Sequence, residues 1–244
     1  MRLSRIFVGE SLAVGSRTPL DTAASHYIRN VLRLKEGAIV ALFNGEDEAD
    51  YLCQLEFAAK KTIAIIQSRQ PSQMESTLDS EIILGLSRND HLDLAIQKCT
   101  ELGVNRLSIF NAQHSQIPLK PAQREKRFVH WRAIAIKACE QCGRHRLPVI
   151  EFFNKLEDAL ESGNKRQNKF LLDFDGVSFE TLSSSANRDQ VSLLIGPEGG
   201  LSEAEIKLAR TLGFTGIRLG PRILRTETAA ITSLAILQSV WGDY

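Results

Sequence analysis

The pattern of apolar and polar positions changes at about residue 81. From there to the end of the chain, short apolar runs of strand length alternate with longer stretches whose apolar positions recur every three or four residues. The predicted strands are 82–86, 106–110, 170–174, 191–195 and 217–219, and the predicted helices are 90–102, 123–142, 202–212 and 227–240. Strands that alternate with helices in this way predict a parallel α/β sheet for residues 81–244.

The first 68 residues have a different pattern. One helical stretch, 23–31, lies among four short apolar runs at 6–8, 39–43, 51–57 and 62–67. Several short strands with a single helix predict a small β-barrel. Residues 69–80 are polar and include Pro71, so we interpret them as a linker between the two domains.

Two glycine-proline turns stand out in the last quarter of the chain. The first is L-L-I-G-P-E-G-G-L-S, from Leu193 to Ser202, and the second is R-L-G-P-R-I-L-R-T-E-T-A, from Arg218 to Ala229. Each follows an apolar run and leads into a helical pattern. Successive parallel strands present such turns at their carboxyl ends, which is the edge where open α/β sheets bind ligands. Glycine there allows the backbone to approach a ligand closely.

The turns lack the usual phosphate-binding motifs. Neither has the spacing of a P-loop or of a dinucleotide-binding G-x-G-x-x-G sequence. Glu198 lies inside the first turn, where it would repel a polyphosphate. An uncharged nucleoside, or one with a positive group, suits this turn better. The alternative is that glycine and proline only close two tight turns.

Composition and charge favour an ordinary globular protein. The chain has 244 residues, a formal net charge of +1 and 43% hydrophobic residues. No apolar run approaches the ~20 residues that span a bilayer, and the start of the chain does not resemble a signal peptide. We therefore expect a cytoplasmic protein without membrane contact.

The cysteines do not predict a metal site. Cys139 and Cys142 form a C-E-Q-C sequence, but no second pair completes a zinc site. The pair also lies within a predicted helix rather than at its start. We interpret the four cysteines as ordinary thiols and expect no metal.

Local positive charge in the barrel region suggests nucleic acid. Arg5, Arg29 and Arg33 occur near His26 and Tyr27, and basic and aromatic side chains together are typical of nucleic-acid surfaces. A solvated charged face is an equally open interpretation. A second compact basic segment, G-R-H-R, follows the long helix at residues 143–146.

Several segments together resemble one family. D-L-A-I-Q-K-C-T-E-L-G-V (93–104), A-C-E-Q-C-G-R (138–144) and the two glycine-proline motifs are similar to those of the 16S ribosomal RNA uridine-N3 methyltransferases of the SPOUT superfamily. M-R-L-S-R-I-F-V at the start and V-L-R-L-K-E-G (31–37) are similar too. The resemblance therefore covers essentially the whole chain.

The resemblance implies a fold, a cofactor and partners. It implies a PUA-like β-barrel that binds RNA and an α/β domain with a deep trefoil knot. It also implies S-adenosyl-L-methionine as cofactor, a homodimer, and 16S rRNA as substrate, within the small ribosomal subunit. Transferred by position, the cofactor-binding residues are Leu172, Phe174, Ile195, Gly196, Pro197, Glu198, Gly199, Leu219, Gly220, Ile223 and Leu224.

Methylation at uridine N3 requires that a weakly acidic imide lose its proton. Arg222 and Arg225 are candidates to stabilise the negative charge that develops on the base, and Glu227 is a candidate proton acceptor. The alternative interpretation of Glu227 is a charge at the start of its helix that pairs with an arginine. The candidates for RNA backbone contacts are Arg5, Arg29, Arg33, Lys126, Arg144 and Arg146.

Two positions depart from the family pattern. His91 and His114 lie where relatives often have arginine, and 171–176 matches weakly.

Two other functions stay open: a methyltransferase for a ribose 2′-hydroxyl or a tRNA base, and a non-catalytic RNA-binding assembly protein.

Overall fold

The computed structural model describes residues 3–59, 61–116, 118–162, 166–179 and 189–244, and it consists of two compact units. The first unit comprises Met1–Glu75 and Cys139–Leu147, and the second comprises Ser76–Ala138 and Pro148–Tyr244. The predicted division into 1–68, 69–80 and 81–244 assigns residues 139–147 to the α/β domain. The structure instead places this segment in the first unit, where it packs against the start of the chain.

The first unit is a five-stranded mixed sheet with one helix. Its elements are β1 (Arg5–Phe7), β2 (Arg17–Pro19), α1 (Thr22–His26) with a π-helical turn (Tyr27–Val31), β3 (Ile39–Phe43), β4 (Ala49–Ala58) and β5 (Lys61–Pro71). The strand order is β1-β3-β4-β5-β2; β1 is parallel to β3 and the other pairs are antiparallel. In the described residues β1 and β2 form the two edges. Buried and half-buried positions alternate along β4, as period-two patterning predicts.

Buried charges attach residues 139–147 to this sheet. The Arg5 guanidinium binds the Asp50 carboxylate at 3.0 Å and donates to the backbone oxygens of Cys139 and Arg144. The Arg144 side chain pairs with Glu75 at 2.8 Å, and His145 bonds Asp50 at 3.0 Å. These long-range polar contacts explain why residues 139–147 belong to the first unit, which periodicity could not reveal.

The second unit is a six-stranded parallel sheet with helices on both faces. Its elements are β6 (Asp79–Gly85), α2 (Asn89–Glu101), β7 (Arg106–Phe110), α3 (Pro121–Cys142, whose last turn belongs to the first unit), β8 (Val149–Phe153), α4 (Leu156–Ser162), β9 (Asn168–Ser178), β10 (Gln190–Ile195), α5 (Glu203–Thr211), β11 (Thr215–Arg218) and α6 (Thr226–Trp241). The strand order is β11-β9-β10-β6-β7-β8. The prediction of a parallel α/β sheet is confirmed.

Both faces of this sheet are buried. On β6, Ile82 and Leu84 pack toward α2, α3 and α6, whereas Ile83 packs toward α4 and α5. Continuous apolar strands suit a parallel sheet covered on both sides. Helix α6 packs against α2, and Gln238 near its end donates to the backbone oxygen of Leu102 at 2.8 Å. The apolar sequence of α6 is thus explained by burial within its own unit.

Three short elements were not predicted, namely β2, β8 and α4. Each is brief, and β8 is an edge strand whose residues are only half-buried or exposed. The regular pairing of strands is also interrupted in β9, whose register with β11 skips from Leu171 to Val177. Residues 172–176 therefore form a bulge within β9 at the carboxyl edge, outside the register of this pairing. No helix within the described ranges is long and apolar enough to cross a membrane.

Candidate methyl-donor cavity

A cavity of about 520 Å³ opens at the carboxyl edge of the parallel sheet. Its walls come from the bulge within β9, the turn after β10 and the turn after β11. All eleven residues predicted to bind the cofactor line it: Leu172, Phe174, Ile195, Gly196, Pro197, Glu198, Gly199, Leu219, Gly220, Ile223 and Leu224. The two glycine-proline motifs therefore meet at one cavity, as the parallel topology requires.

The turn after β10 is fixed by its own backbone. The N–H of Gly200 donates to the Pro197 oxygen at 2.9 Å, and Gly200 has a φ of 73°, which is unfavourable for residues with a side chain. The hydroxyl of Thr226, at the start of α6, donates to the Gly196 oxygen at 3.2 Å. This bond joins the two motifs directly.

Close backbone approach explains three glycines around the turn. A Cβ on Gly85, at the end of β6, would lie 2.4 Å from Cδ of Pro197. A Cβ on Gly196 would lie 3.0 Å from the Leu201 nitrogen, and one on Gly199 would lie 2.8 Å from Cβ of His114. Side chains at these positions would displace the turn that forms the cavity wall.

Glu198 supplies a negative charge on the cavity wall. Its Oε1 accepts from the Arg88 backbone N–H at 3.0 Å and lies 3.1 Å from Nδ1 of His91. Burial alone would raise the pKa of the Glu198 carboxyl. The hydrogen bonds from Arg88, from the backbone of Glu198 itself and from His91 outweigh burial and hold this pKa below its usual value. Glu198 is therefore ionised at neutral pH.

The three predicted catalytic residues occupy different environments. Arg222 and Arg225 line the cavity, and both are exposed. Arg225 is also the N-cap of α6. Glu227 lies behind the wall, with a side chain only 8% exposed and its Oε2 3.6 Å from Nδ1 of His91. That oxygen has no hydrogen-bond partner among the described residues. His91 thus lies between Glu198 on the wall and Glu227 behind it.

The residues predicted to contact RNA differ in their exposure to solvent. Arg33, Lys126 and Arg146 are exposed, although Arg146 pairs with Glu48 at 2.9 Å. Arg5 and Arg144 are instead held in ion pairs of the first unit, where the Arg5 side chain is 9% exposed and the Arg144 side chain is 4% exposed. Both guanidinium groups already bind protein acceptors, which favours a bracing role.

Arg29 is the sixth predicted RNA contact, and it braces the turn between β4 and β5. It donates to the backbone oxygens of Ala59 and Lys61 and to the Thr62 hydroxyl, and its guanidinium lies 4.2 Å from the centre of the Phe57 ring. One thiol of the C-E-Q-C sequence, that of Cys139, is buried. Burial raises the pKa of Cys139 to about 12, so its thiol stays protonated at neutral pH.

Sequence reasoning missed Gly85, Arg88 and the bridging position of His91. No local pattern identifies them, because His91 and Glu198 are 107 positions apart in the chain. It also missed Asp173, which accepts from Arg210 at 2.7 Å and from the Asp175 backbone at 3.1 Å. The bond from Arg210 joins the bulge in β9 to α5, and the bond from Asp175 is local to the bulge.

Family models match both units. A model described as an RNA methyltransferase domain matches residues 74–238, and one described as an RNA methyltransferase PUA domain matches residues 20–67. A ribosomal RNA small subunit methyltransferase E of Buchnera aphidicola is 33% identical over 99% of this chain and 98% of its own length. The expected family resemblance, PUA-like domain and methyltransferase domain are confirmed.

Solved structures agree with this assignment. A methyltransferase of Legionella pneumophila, in complex with the bound cofactor SAM, superposes over all of both chains with a TM-score of 0.94 and 31% identity. The ribosomal RNA small subunit methyltransferase E of Neisseria gonorrhoeae, bound to S-adenosyl methionine, does so with a TM-score of 0.87 and 28% identity. On both sequence and structure, the chain belongs to the ribosomal RNA small subunit methyltransferase E family.

Proposed function

We propose that this RNA methyltransferase transfers a methyl group from S-adenosyl-L-methionine to N3 of a uridine in 16S rRNA, within the small ribosomal subunit. The observation that carries the proposal is the convergence of both glycine-proline motifs on one cavity with an ionised carboxylate in its wall. The names of the relatives support rRNA as the substrate.

The cavity fits the proposed cofactor. Ile195, Leu219 and Leu224 offer apolar surface for an adenine ring, and the glycine backbone leaves peptide groups free to bond its edge. The Glu198 carboxylate suits a cationic group. When bound, S-adenosyl-L-methionine supplies a methyl group on a sulfonium, which an in-line displacement transfers while the C–S bond breaks.

The chain's own residues then act on the base. N3 must lose its proton as the new N–C bond forms, which leaves negative charge on the uracil oxygens. Arg222 and Arg225 line the cavity and can stabilise this charge. We assign the proton to Glu227, whose Oε2 lacks a hydrogen-bond partner in the described structure and lies 3.6 Å from His91, which in turn lies 3.1 Å from Glu198 on the wall.

An Arg225→Ala variant tests this division of roles. We expect turnover to fall at least tenfold, because one charge-stabilising group is lost, while binding of S-adenosyl-L-methionine measured by calorimetry is retained. Unchanged turnover would remove Arg225 from the mechanism.

Product analysis tests the proposed reaction. The protein is incubated with unmethylated small ribosomal subunits and S-adenosyl-L-methionine labelled in the methyl group, and the RNA is digested to nucleosides. We expect the label in 3-methyluridine. Label on a ribose, or on tRNA but not on the subunit, would favour the alternative methyltransferase function. If the protein binds RNA but transfers no methyl group, the result would favour the alternative of a non-catalytic RNA-binding assembly protein.

We further propose that the protein works as a homodimer with the cavity close to the subunit interface. Ile223 is 84% exposed and Phe174 is 56% exposed, and both border the cavity. Exposed apolar side chains at one site favour a covering partner. Light scattering tests the proposal: a dimer is expected, and a monomeric active enzyme would contradict it.

The deep trefoil knot belongs to the same proposal. Its support is that β11 lies at one edge of the sheet, whereas α6, which follows it, returns to α2 and bonds the β10 turn through Thr226. Knots are very rare in proteins. A crystal structure that traces residues 190–241 tests the threading, and an unknotted path would refute it.

A further inference from the structure

A second cleft, of about 410 Å³, opens at the same edge of the parallel sheet. One side is formed by Leu86–Arg88, which connect β6 to α2, and by Asn89 and Asp90 at the start of α2. The start of α3 forms the other side through Gln123 and Arg127. The mechanism proposed above uses neither α3 residue. The cleft nevertheless adjoins the methyl-donor cavity, because the backbone N–H of Arg88 donates to Glu198 on its wall.

The cleft contains a polar group without a partner. Ser87 is only 9% exposed, and its hydroxyl makes no hydrogen bond within the described structure. A buried hydroxyl without a partner costs about 1–3 kcal/mol. A ligand that accepts or donates at this position would recover that loss.

Positive charge in the cleft is not balanced by the protein. The Arg127 guanidinium donates to the Asn89 side-chain oxygen, which is neutral, and no carboxylate of the described residues lies within 4.0 Å of it. Arg88 is 60% exposed and lies 3.8 Å from Asp90. Asp90 also lines the cleft, so its walls carry two guanidinium groups and one carboxylate.

The helix that begins at the cleft has an open start. The N-cap of α2 is Arg88, which provides no side-chain acceptor, so the first N–H groups of the helix lack a cap. Such a helix start favours an anion. An unpartnered hydroxyl, an unbalanced guanidinium and an uncapped helix therefore point to the same chemistry.

We propose that this cleft binds a backbone phosphate of the RNA next to the target uridine. The proposal rests on the proposed function, since it assigns part of the substrate to a second site. Phosphate contacts fix the register of a nucleic acid on a protein. A phosphate held at Arg127 would orient its neighbouring base toward the cavity.

An Arg127→Gln variant tests the cleft. Binding of the cofactor-loaded protein to a uridine-containing fragment of small-subunit rRNA is measured across a salt series. We expect affinity to fall about tenfold and the slope of log affinity against log salt to decrease in magnitude by about one. Ser87→Ala, which preserves the charge, should weaken binding less without changing that slope. Calorimetry should show that Arg127→Gln binds S-adenosyl-L-methionine as the wild type does.

Lys98→Gln is the matched control, since it removes one positive charge from the opposite end of α2, where Lys98 pairs with Glu101. If Arg127→Gln and Lys98→Gln have the same RNA affinity and salt slope, the proposal is wrong. A change in oligomeric state with unchanged RNA affinity would also overturn it and would assign the cleft to a second copy. If RNA binding by the wild type and the variants follows the expected salt slopes but the wild type transfers no methyl group, the phosphate site in the cleft would be supported and the proposed function refuted.

Discussion

At the scale of single residues, the imidazole of His91 lies between Glu198 in the cavity wall and the buried carboxylate of Glu227. Nδ1 of His91 lies 3.1 Å from Glu198, within hydrogen-bond distance, and 3.6 Å from Glu227, so one imidazole faces two acidic side chains. Removing it would leave the buried Glu227 without its nearest basic neighbour. Uncompensated buried carboxylates are costly, so the wall would have to rearrange.

We therefore expect His91→Ala to reduce the turnover number about tenfold, measured as methyl transfer to small ribosomal subunits. His91→Lys should restore most of it, because an ammonium group can also lie between the two carboxylates. His130→Ala is the control: this exposed histidine bonds Asp93 and lies outside the cavity lining. Wild-type turnover in His91→Ala would show that the bridge has no part in the reaction.

At the scale of elements, the α5 helix is positioned by its first turn. Ser202 and Glu205 form a complete capping box, in which the Ser202 hydroxyl accepts from the Glu205 N–H and the Glu205 carboxylate accepts from the Ser202 N–H at 2.7 Å. The second oxygen of Glu205 accepts from the Gln113 backbone at 2.9 Å. The cap thus fixes the chain immediately after the Gly196–Gly200 turn.

Ser202→Ala should lower the free energy of unfolding by about 1 kcal/mol, because one N–H of the helix start loses its acceptor. Chemical denaturation measures the difference. Ser202→Thr preserves the hydroxyl and should lie within a few tenths of a kcal/mol of the wild type. Equal losses in the two variants would mean that the cap does not stabilise α5.

The helices and strands also show which structural features could be predicted from the sequence. The helix 202–212 was predicted correctly because its apolar periodicity depends on residues three or four positions apart. Nine of the eleven cavity residues lie in two motifs that follow parallel strands, which fixes their common edge, whereas Leu172 and Phe174 were expected only from the family resemblance. The bulge within β9 and the position of His91 depend on contacts between distant segments, so local periodicity had no information about them.

At the scale of the whole molecule, stability depends on buried charges that join distant parts of the chain. Burial would raise the pKa of Asp50, but the hydrogen bond from His145 and the charge and hydrogen bonds of Arg5 outweigh it and lower this pKa below 3.8. A lowered folded-state pKa stabilises the protein fully above the unfolded value. That contribution is lost as the pH falls through the folded-state pKa.

Asp50→Asn should therefore destabilise the protein by about 2 kcal/mol at neutral pH, since Arg5 and His145 lose their charged acceptor. The difference from the wild type should shrink as the pH falls below 3.8. Denaturation at several pH values measures both. Glu36→Gln, at an exposed position of the same unit, should show no such difference. A constant difference across the pH range would contradict the assigned role of Asp50.

The most direct test of the account is calorimetric titration of the purified protein with S-adenosyl-L-methionine. We predict micromolar binding that is lost in Gly196→Val, because a side chain there displaces the turn that walls the cavity. Gly9→Val, where a Cβ would meet no atom within 4 Å, should bind like the wild type. Absence of binding by the folded wild-type protein, or full binding by Gly196→Val, would contradict the account.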